Sequence, residues 1–287
     1  MINSTSGPDS EEMLAPGGGH ATAAGVGFEA QLGAIFACQL RAERPFDSRL
    51  GLGTAPIKSI RFETEAPVDD ILIETDQTGY LFVQTKTTLT SGKNAHSELG
   101  KTADQIVRLY LACERGAGKR GWDRPLRRYR DRVLLALGPP TAFTRNLSRG
   151  LVAVQAAAAA PLPSAAQKAL DTLVAHVRRA WTAVEGTAID QDTLRAVLGH
   201  ATILSFDVDG ADRAAATAAL EHVIENSSEA AGAFTALARY CEELMTKRLG
   251  ADTAGFRHAL GIANIALTAP PSFGGDVEAV RRYSERV

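Results

Sequence analysis

The strongest constraint on the fold is one short stretch. Positions 80–87 read Tyr-Leu-Phe-Val-Gln-Thr-Lys-Thr, a run rich in strand formers. Side chains two residues apart on a strand share a face, so Gln84 and Lys86 project together and Thr85 projects the other way. Polar groups inside such a run cost free energy unless they bind something. Just upstream, 69–74 reads Asp-Asp-Ile-Leu-Ile-Glu, a second strand, and 75–79 carries Asp76 and Gly79, a turn signal. The two strands are close enough to pair as a hairpin. That pairing sets Asp70 at the start of the partner strand, where it can meet the Gln84–Lys86 face.

The flanking pattern extends this hairpin into a layered fold. Phe28, Gln31, Leu32, Ile35, Phe36 and Leu40 recur at helical spacing, which predicts an amphipathic helix over 27–41 with Glu29 on it. A Gly- and Pro-containing loop follows over 45–56, then a short strand over 57–63. After the hairpin, 97–114 reads as a helix. The run 132–137, stopped by Gly138-Pro139-Pro140, suits a buried strand of a parallel or mixed sheet. Helix, strands, helix and strand in this order describe an α/β structure with a mixed central sheet and flanking helices. From Ser148 the chain becomes alanine-rich and predicts helices at 164–185, 190–198, 211–225, 228–249 and 253–260. Ser164 is a natural cap for the first of these. One isolated strand, 203–208, is placed to join the first sheet. The expected organisation is a disordered tail at 1–22, an α/β core at 23–160 and a mostly helical accessory region at 161–287. A helical signal at 277–285 just before the end hints that the chain is a piece of something longer.

Composition removes several function classes. The 287 residues carry a formal net charge of -2, so the whole surface is not a basic nucleic-acid binder. Contact with a polyanion has to come from a local patch. The dense candidate is Lys119, Arg120, Arg124, Arg127, Arg128, Arg130 and Arg132, which reads equally well as a solvated connector. Trp122 beside it could stack on a base, although packing in the core is the commoner use of such a ring. Three cysteines lie far apart with no CxxC pair, and the histidines form no HExxH, which argues against a zinc site or a disulfide framework. Gly17-Gly18-Gly19 lacks the spacing of a phosphate loop, so no NTPase site is read here. No apolar run is long enough to span a membrane, and the polar start lacks a signal-peptide pattern. The expected setting is the reducing cytoplasm.

What remains points to hydrolysis. Cleaving a phosphodiester near neutral pH usually uses a divalent cation that polarises the phosphoryl oxygen and acidifies a bound water. Magnesium takes oxygen ligands and keeps several waters, so one or two carboxylates, an amide oxygen and a nearby ammonium make a minimal site. Asp70, Gln84 and Lys86 supply that set, with Glu29 available as a further carboxylate or as a holder of Lys86. The competing reading is a solvent-facing Gln-x-Lys stripe and an exposed helix glutamate.

In order, Gly27-Phe28-Glu29, Val68-Asp69-Asp70-Ile71 and Val83-Gln84-Thr85-Lys86, followed by a helix and a strand, resemble the PD-(D/E)xK (restriction-endonuclease-like) superfamily over about 24–140. Within it the chain looks like the double-stranded DNA endonuclease effector domains of bacterial anti-phage systems, those of CBASS and of NLR-like (STAND) proteins. The resemblance implies metal ligation by Asp70 and Gln84, with Asp69 as the rival aspartate should the register slip by one. It implies Lys86 as the catalytic lysine, Glu29 as the helix carboxylate and Gln105 as a polar helper. Gln84 replaces the usual acid, which takes one negative charge from the site and weakens metal binding. Also implied are Mg²⁺ or Mn²⁺ as cofactor, double-stranded DNA as substrate, and a sensor or NTPase module outside this chain that is fused to it or regulates it. A homo-oligomer is expected, because cutting both strands needs two active sites. Lys93, Lys101, Arg124, Arg127 and Arg128 are the candidates for contact with the DNA backbone. The alternatives are a catalytically inactive nuclease-fold module for DNA binding or oligomerisation, and an unrelated helical adaptor with no hairpin at 69–87.

Overall fold

The computed structural model describes residues 23–43, 50, 52, 55–116, 120–158 and 160–268. The expected tail at 1–22, most of the 45–56 loop, Lys119 and the helical signal at 277–285 lie outside them. The elements run α1 (Ala23–Arg41), β1 (Ile57–Phe62), β2 (Ile71–Thr75), β3 (Tyr80–Lys86), α2 (Glu98–Arg115) and β4 (Asp131–Leu137). They continue as α3 (Ala142–Gln155), α4 (Ser164–Glu185), α5 (Gln191–His200), β5 (Ala201–Ser205), α6 (Ala211–Leu220), α7 (Ala230–Lys247), β6 (Gly250–Asp252) and α8 (Thr253–Ile262). The result is a mixed α/β fold around one six-stranded sheet in the order β5-β4-β3-β2-β1-β6.

The hairpin is present. β2 and β3 pair antiparallel from Ile71↔Val83 to Glu74↔Tyr80. The turn between them is tight because Gly79 lets the Arg130 carbonyl approach; a Cβ there would stand 2.3 Å from that oxygen. β3 then pairs parallel with β4, and β4 parallel with β5. β1 pairs antiparallel with both β2 and β6.

Alternation along the strands divides the core in two. Ile71, Ile73, Leu81, Val83, Leu134 and Ala136 pack with α1, α6, α7 and α8 on one face. Leu72, Phe82, Val133, Leu135 and Leu137 pack with α2, α3, α4 and α5 on the other. Helix α1 differs from the amphipathic expectation. From Phe28 to Leu40 nearly every side chain is buried, because the helix lies between the sheet and a second layer led by α7. A helix apolar all round belongs inside.

Both edges of the sheet come from beyond residue 160. The expected isolated strand does join the sheet, as β5 beside β4, and its outer carbonyls are covered by α3. Ser148 Oγ donates to Ile203 O and Gln155 Nε2 to Ala201 O. Side chains from a neighbouring helix thereby close an edge that would otherwise invite pairing. The short β6 has no sequence signal of its own beyond Gly250, where a Cβ would stand 2.4 Å from Arg61 Cγ.

Candidate active site

The site forms where β2 leaves β3. The β2–β3 ladder begins at Ile71↔Val83, so Asp69 and Asp70 precede the strand rather than open it as the sequence suggested. Their main chain turns toward the end of β1 instead. Glu63 N donates to Asp70 O, and Thr64 N to Asp69 O. The fork this opens beside the end of β3 is closed by the Asp70 carboxylate. Its Oδ2 accepts from Thr85 N at 2.6 Å, Gln84 Nε2 at 2.6 Å and Thr85 Oγ1 at 2.7 Å. Of the two rival aspartates, Asp70 is the one bonded to β3.

The remaining candidates divide between the two faces of β3. Gln84 faces α2 and lines a narrow apolar cavity with Leu99, Thr102, Gln105 and Ile106. Lys86, on the same face, pairs with Glu98 at the start of α2, Nζ to Oε2 at 3.5 Å. The alternative role of Glu29, as the holder of Lys86, is therefore taken by Glu98. Glu29 comes from α1 on the opposite face, where its buried carboxyl lies against the Thr85 hydroxyl. Thr85, which sequence logic sends away from Gln84 and Lys86, is the hinge of the arrangement, because it touches both Asp70 and Glu29.

The electrostatics are those of crowded acids. Burial, then the charges of Asp70, Glu63 and Asp69, push Glu29 up to about 9. Burial and Asp70 push Asp69 up to about 7, with Lys86 acting in the opposite direction. Asp70 is raised by burial, against the lowering effect of its Thr85, Lys86 and Gln84 partners. Glu63 is raised by burial and by Asp70, and Arg248 offsets part of this. Sequence reasoning missed Glu63. Its one signal is position, at the end of the strand β2 pairs with, and it adopts a positive φ of 47°. Two buried oxygens at the site have no hydrogen-bond partner, Glu29 Oε1 and Gln84 Oε1. Buried acceptors are nearly always satisfied, so the pair asks for an explanation. Among the described residues no three His, Cys, Asp or Glu side chains gather into a ready-made metal cage.

The basic candidates fall at two places. Lys93 and Lys101 lie at the site's end of the sheet. Lys101 pairs with Glu98, and the Lys93 carbonyl accepts from Arg179 of α4. The arginines lie at the other end of β3. There Arg124 forks onto buried Asp131, Nη1 to Oδ2 at 2.6 Å and Nη2 to Oδ1 at 3.0 Å, and also donates to Thr78 O. Arg124 is thus engaged inside the fold, and buried Arg132 likewise donates to main-chain carbonyls of Leu50 and Asp131. Arg127 and Arg128 remain on the surface. Trp122 is not free to stack on a base, because it is buried edge-on against Phe82.

No family model matches this chain, and no curated protein matches it. Among solved structures it is similar to a Cap4 SAVED/CARF-domain containing receptor of Moraxella osloensis, with a TM-score of 0.48 and 10% identity over 84% of this chain and 48% of that one. It is also similar to the Acinetobacter baumannii Cap4 SAVED/CARF-domain containing receptor solved with the cyclic trinucleotide 2'3'3'-cAAA, at a TM-score of 0.47 and 10% identity over 85% and 46%. The chain spans about half the length of each receptor. At this distance neither ligand nor activity passes from them to it. Among the described residues no helix is long and apolar enough to cross a membrane.

Proposed function

We propose that this chain is a Mg²⁺- or Mn²⁺-dependent endonuclease with a PD-(D/E)xK core, acting on the phosphodiester backbone of double-stranded DNA. The observation that carries the reading is two unpartnered buried oxygens, Glu29 Oε1 and Gln84 Oε1, one from each face of β3, beside an Asp70 carboxylate whose charge raises Glu29, Glu63 and Asp69. The donor set is all oxygen, which suits a hard cation that keeps much of its water. Four acids of which Lys86 and Arg248 offset only part also favour added positive charge. These residues fit such a cation as an open site. Asp70 and Gln84 would hold it, with Asp69 nearby.

A cation bound there supplies Lewis-acid polarisation of a phosphoryl oxygen and a more acidic water. The chain's own residues do the rest. Lys86, held by Glu98, brings an ammonium to the end of β3, where it can orient a nucleophilic water and neutralise developing charge. Glu29, with its raised affinity for a proton, keeps one near Thr85 until opposite charge arrives. Lys93 and Lys101 lie at this end of the sheet and suit contact with phosphates. The sequence resemblance adds the role of effector in bacterial anti-phage defence, working as a homo-oligomer with a sensor or NTPase module outside this chain.

The test is cleavage of supercoiled plasmid with MgCl₂ or MnCl₂, paired with the metal-induced shift in melting temperature. Wild type is expected to cleave and to gain stability with metal. Lys86→Ala is expected to lose about 10²–10³ in rate with its fold intact, and Asp70→Asn to lose the metal-induced shift. A wild type that neither cleaves nor responds to metal selects the inactive nuclease-fold module. The Lys86–Glu98 pair is the observation that favours this second reading, because it already gives the lysine a structural partner.

A further inference from the structure

The basic turn between α2 and β4 plays no part in the active-site reading, yet it is held in place at several points. Arg127, Arg128, Tyr129 and Arg130 are consecutive and exposed. Tyr129 is 73% exposed, an unusual position for a large ring. Among the described residues none of the three arginines forms an ion pair with a carboxylate, whereas the neighbouring Arg120 and Arg124 both do. Arg128 stands over the Tyr129 ring at 5.7 Å from its centre and donates to Gln155 O. Arg130 donates one bond to Gln77 O at 3.0 Å. These two guanidiniums are thereby oriented, while among the described residues most of their five donors meet no acceptor. The turn is fixed from beneath, since Arg127 N donates to buried Asp131 at 2.6 Å and Arg130 N to Arg127 O at 3.0 Å.

Three guanidiniums with no carboxylate partner among the described residues, beside a ring that Arg128 covers on one side only and that is 73% exposed, match a nucleotide strand. Phosphates accept from arginine, and any base can stack on the ring. A duplex offers the phosphates but keeps its base faces stacked, and a lipid surface would meet only one small ring to insert. We propose that this turn is a binding site for single-stranded nucleic acid, with phosphates on Arg127, Arg128 and Arg130 and a base on Tyr129. It lies at the opposite end of β3 from Lys86, about 20 Å away at roughly 3.3 Å per residue. The proposal does not rest on nuclease activity, because such binding requires no metal.

The experiment is fluorescence anisotropy of a labelled oligothymidylate titrated with the full chain in EDTA. Arg127→Glu and Tyr129→Ala are the variants, and Arg127→Gln is the milder substitute should the charge reversal disturb folding. Each variant is expected to weaken binding roughly tenfold or more. The arginine variants should also flatten the salt dependence by about 0.7 in logarithmic slope for each phosphate no longer neutralised. Unchanged binding in either the Arg127 or the Tyr129 variant overturns the proposal. So does equal displacement of the oligonucleotide by a duplex of the same length, or by phosphatidylserine vesicles.

Discussion

Strands β3 and β4 lie side by side, and a buried acid from a neighbouring segment bonds to each end of β3, Asp131 to Tyr80 and Asp70 to Thr85. At the amino end Asp131 is fully buried and fully served. It accepts from Tyr80 N, from both terminal nitrogens of Arg124 and from Arg127 N. At the carboxyl end Asp70 gathers three donors onto one oxygen and its charge presses on Glu29, Glu63 and Asp69, with two neighbouring acceptors left unpartnered. The chain is thus able to balance a buried carboxylate, and at one end of the sheet it does not. Gln39 Oε1 and Arg41 Nε on α1 are also buried without a partner, so what sets this end of β3 apart is the crowding of acids around its unpartnered oxygens, the environment in which perturbed functional groups gather.

The sharpest way to break that contrast is Asp131→Ala. Removing one partner of a buried pair leaves Arg124 without its anion and two backbone N–H groups without acceptors. A loss on the order of 3–5 kcal/mol is expected, read as a drop in urea midpoint at constant slope. Asp70→Ala, by contrast, relieves repulsion on Glu29, Glu63 and Asp69 while deleting its bonds, so its cost in EDTA should be much smaller. Equal losses at the two positions would mean that both carboxylates are structural.

A second prediction uses pH. Glu29 holds its proton in the fold up to about 9 but releases it in the unfolded chain near the ordinary value of 4.5. The folded state therefore binds more protons across that window. Its contribution to stability is complete below about 4.5 and is lost as pH rises through about 9. Asp69 adds a smaller loss of the same sign from 3.8 up to about 7. In EDTA the melting temperature should fall by several degrees between about pH 5 and 9, and Glu29→Gln should remove most of the slope above about pH 7. Because protons compete with a cation for the same oxygens, the stabilisation by Mg²⁺ should grow over the same range. A wild-type slope equal to that of Glu29→Gln would show that the acids do not interact as described.

Much of this contrast was legible in the sequence, and the rest was not for identifiable reasons. The hairpin, the strand expected at 132–137 and helix 164–185 follow from period and turn residues, which are local, although the helix starts from Pro163 with no side-chain cap instead of being capped by Ser164. That Gln84 and Lys86 share a face is a consequence of pleating alone. The shift of Asp70 out of β2 is different, because it depends on where two ladders diverge, and no local pattern marks that point. Glu63 and Glu98 are ordinary acids until β1 and α2 bring them to the end of β3. Helix α1 carries apolar residues on one stripe and small ones elsewhere, and only the later α7 reveals that the small ones are also covered. The arginines at 124 and 132 looked alike in a basic run with those at 127, 128 and 130. Whether each meets a buried partner or solvent was decided by Asp131 and Leu50, tens of residues apart.

The smallest effect tests the hinge itself. Thr85→Val keeps the shape of the side chain and the backbone bond to Asp70 but removes the hydroxyl that donates at 2.7 Å and lies against Glu29. Asp70 retains the Thr85 N–H and the Gln84 amide, so the loss should be about 1 kcal/mol near neutral pH, well below that of Asp131→Ala. The hydroxyl also lowers Glu29 through its contact, so without it Glu29 should hold its proton still more firmly and the fall in melting temperature should extend to higher pH. If Thr85→Val changes neither stability nor that pH profile, the two faces of β3 are not coupled through this residue. Asp70 and Glu29 would then have to be treated as two sites rather than one.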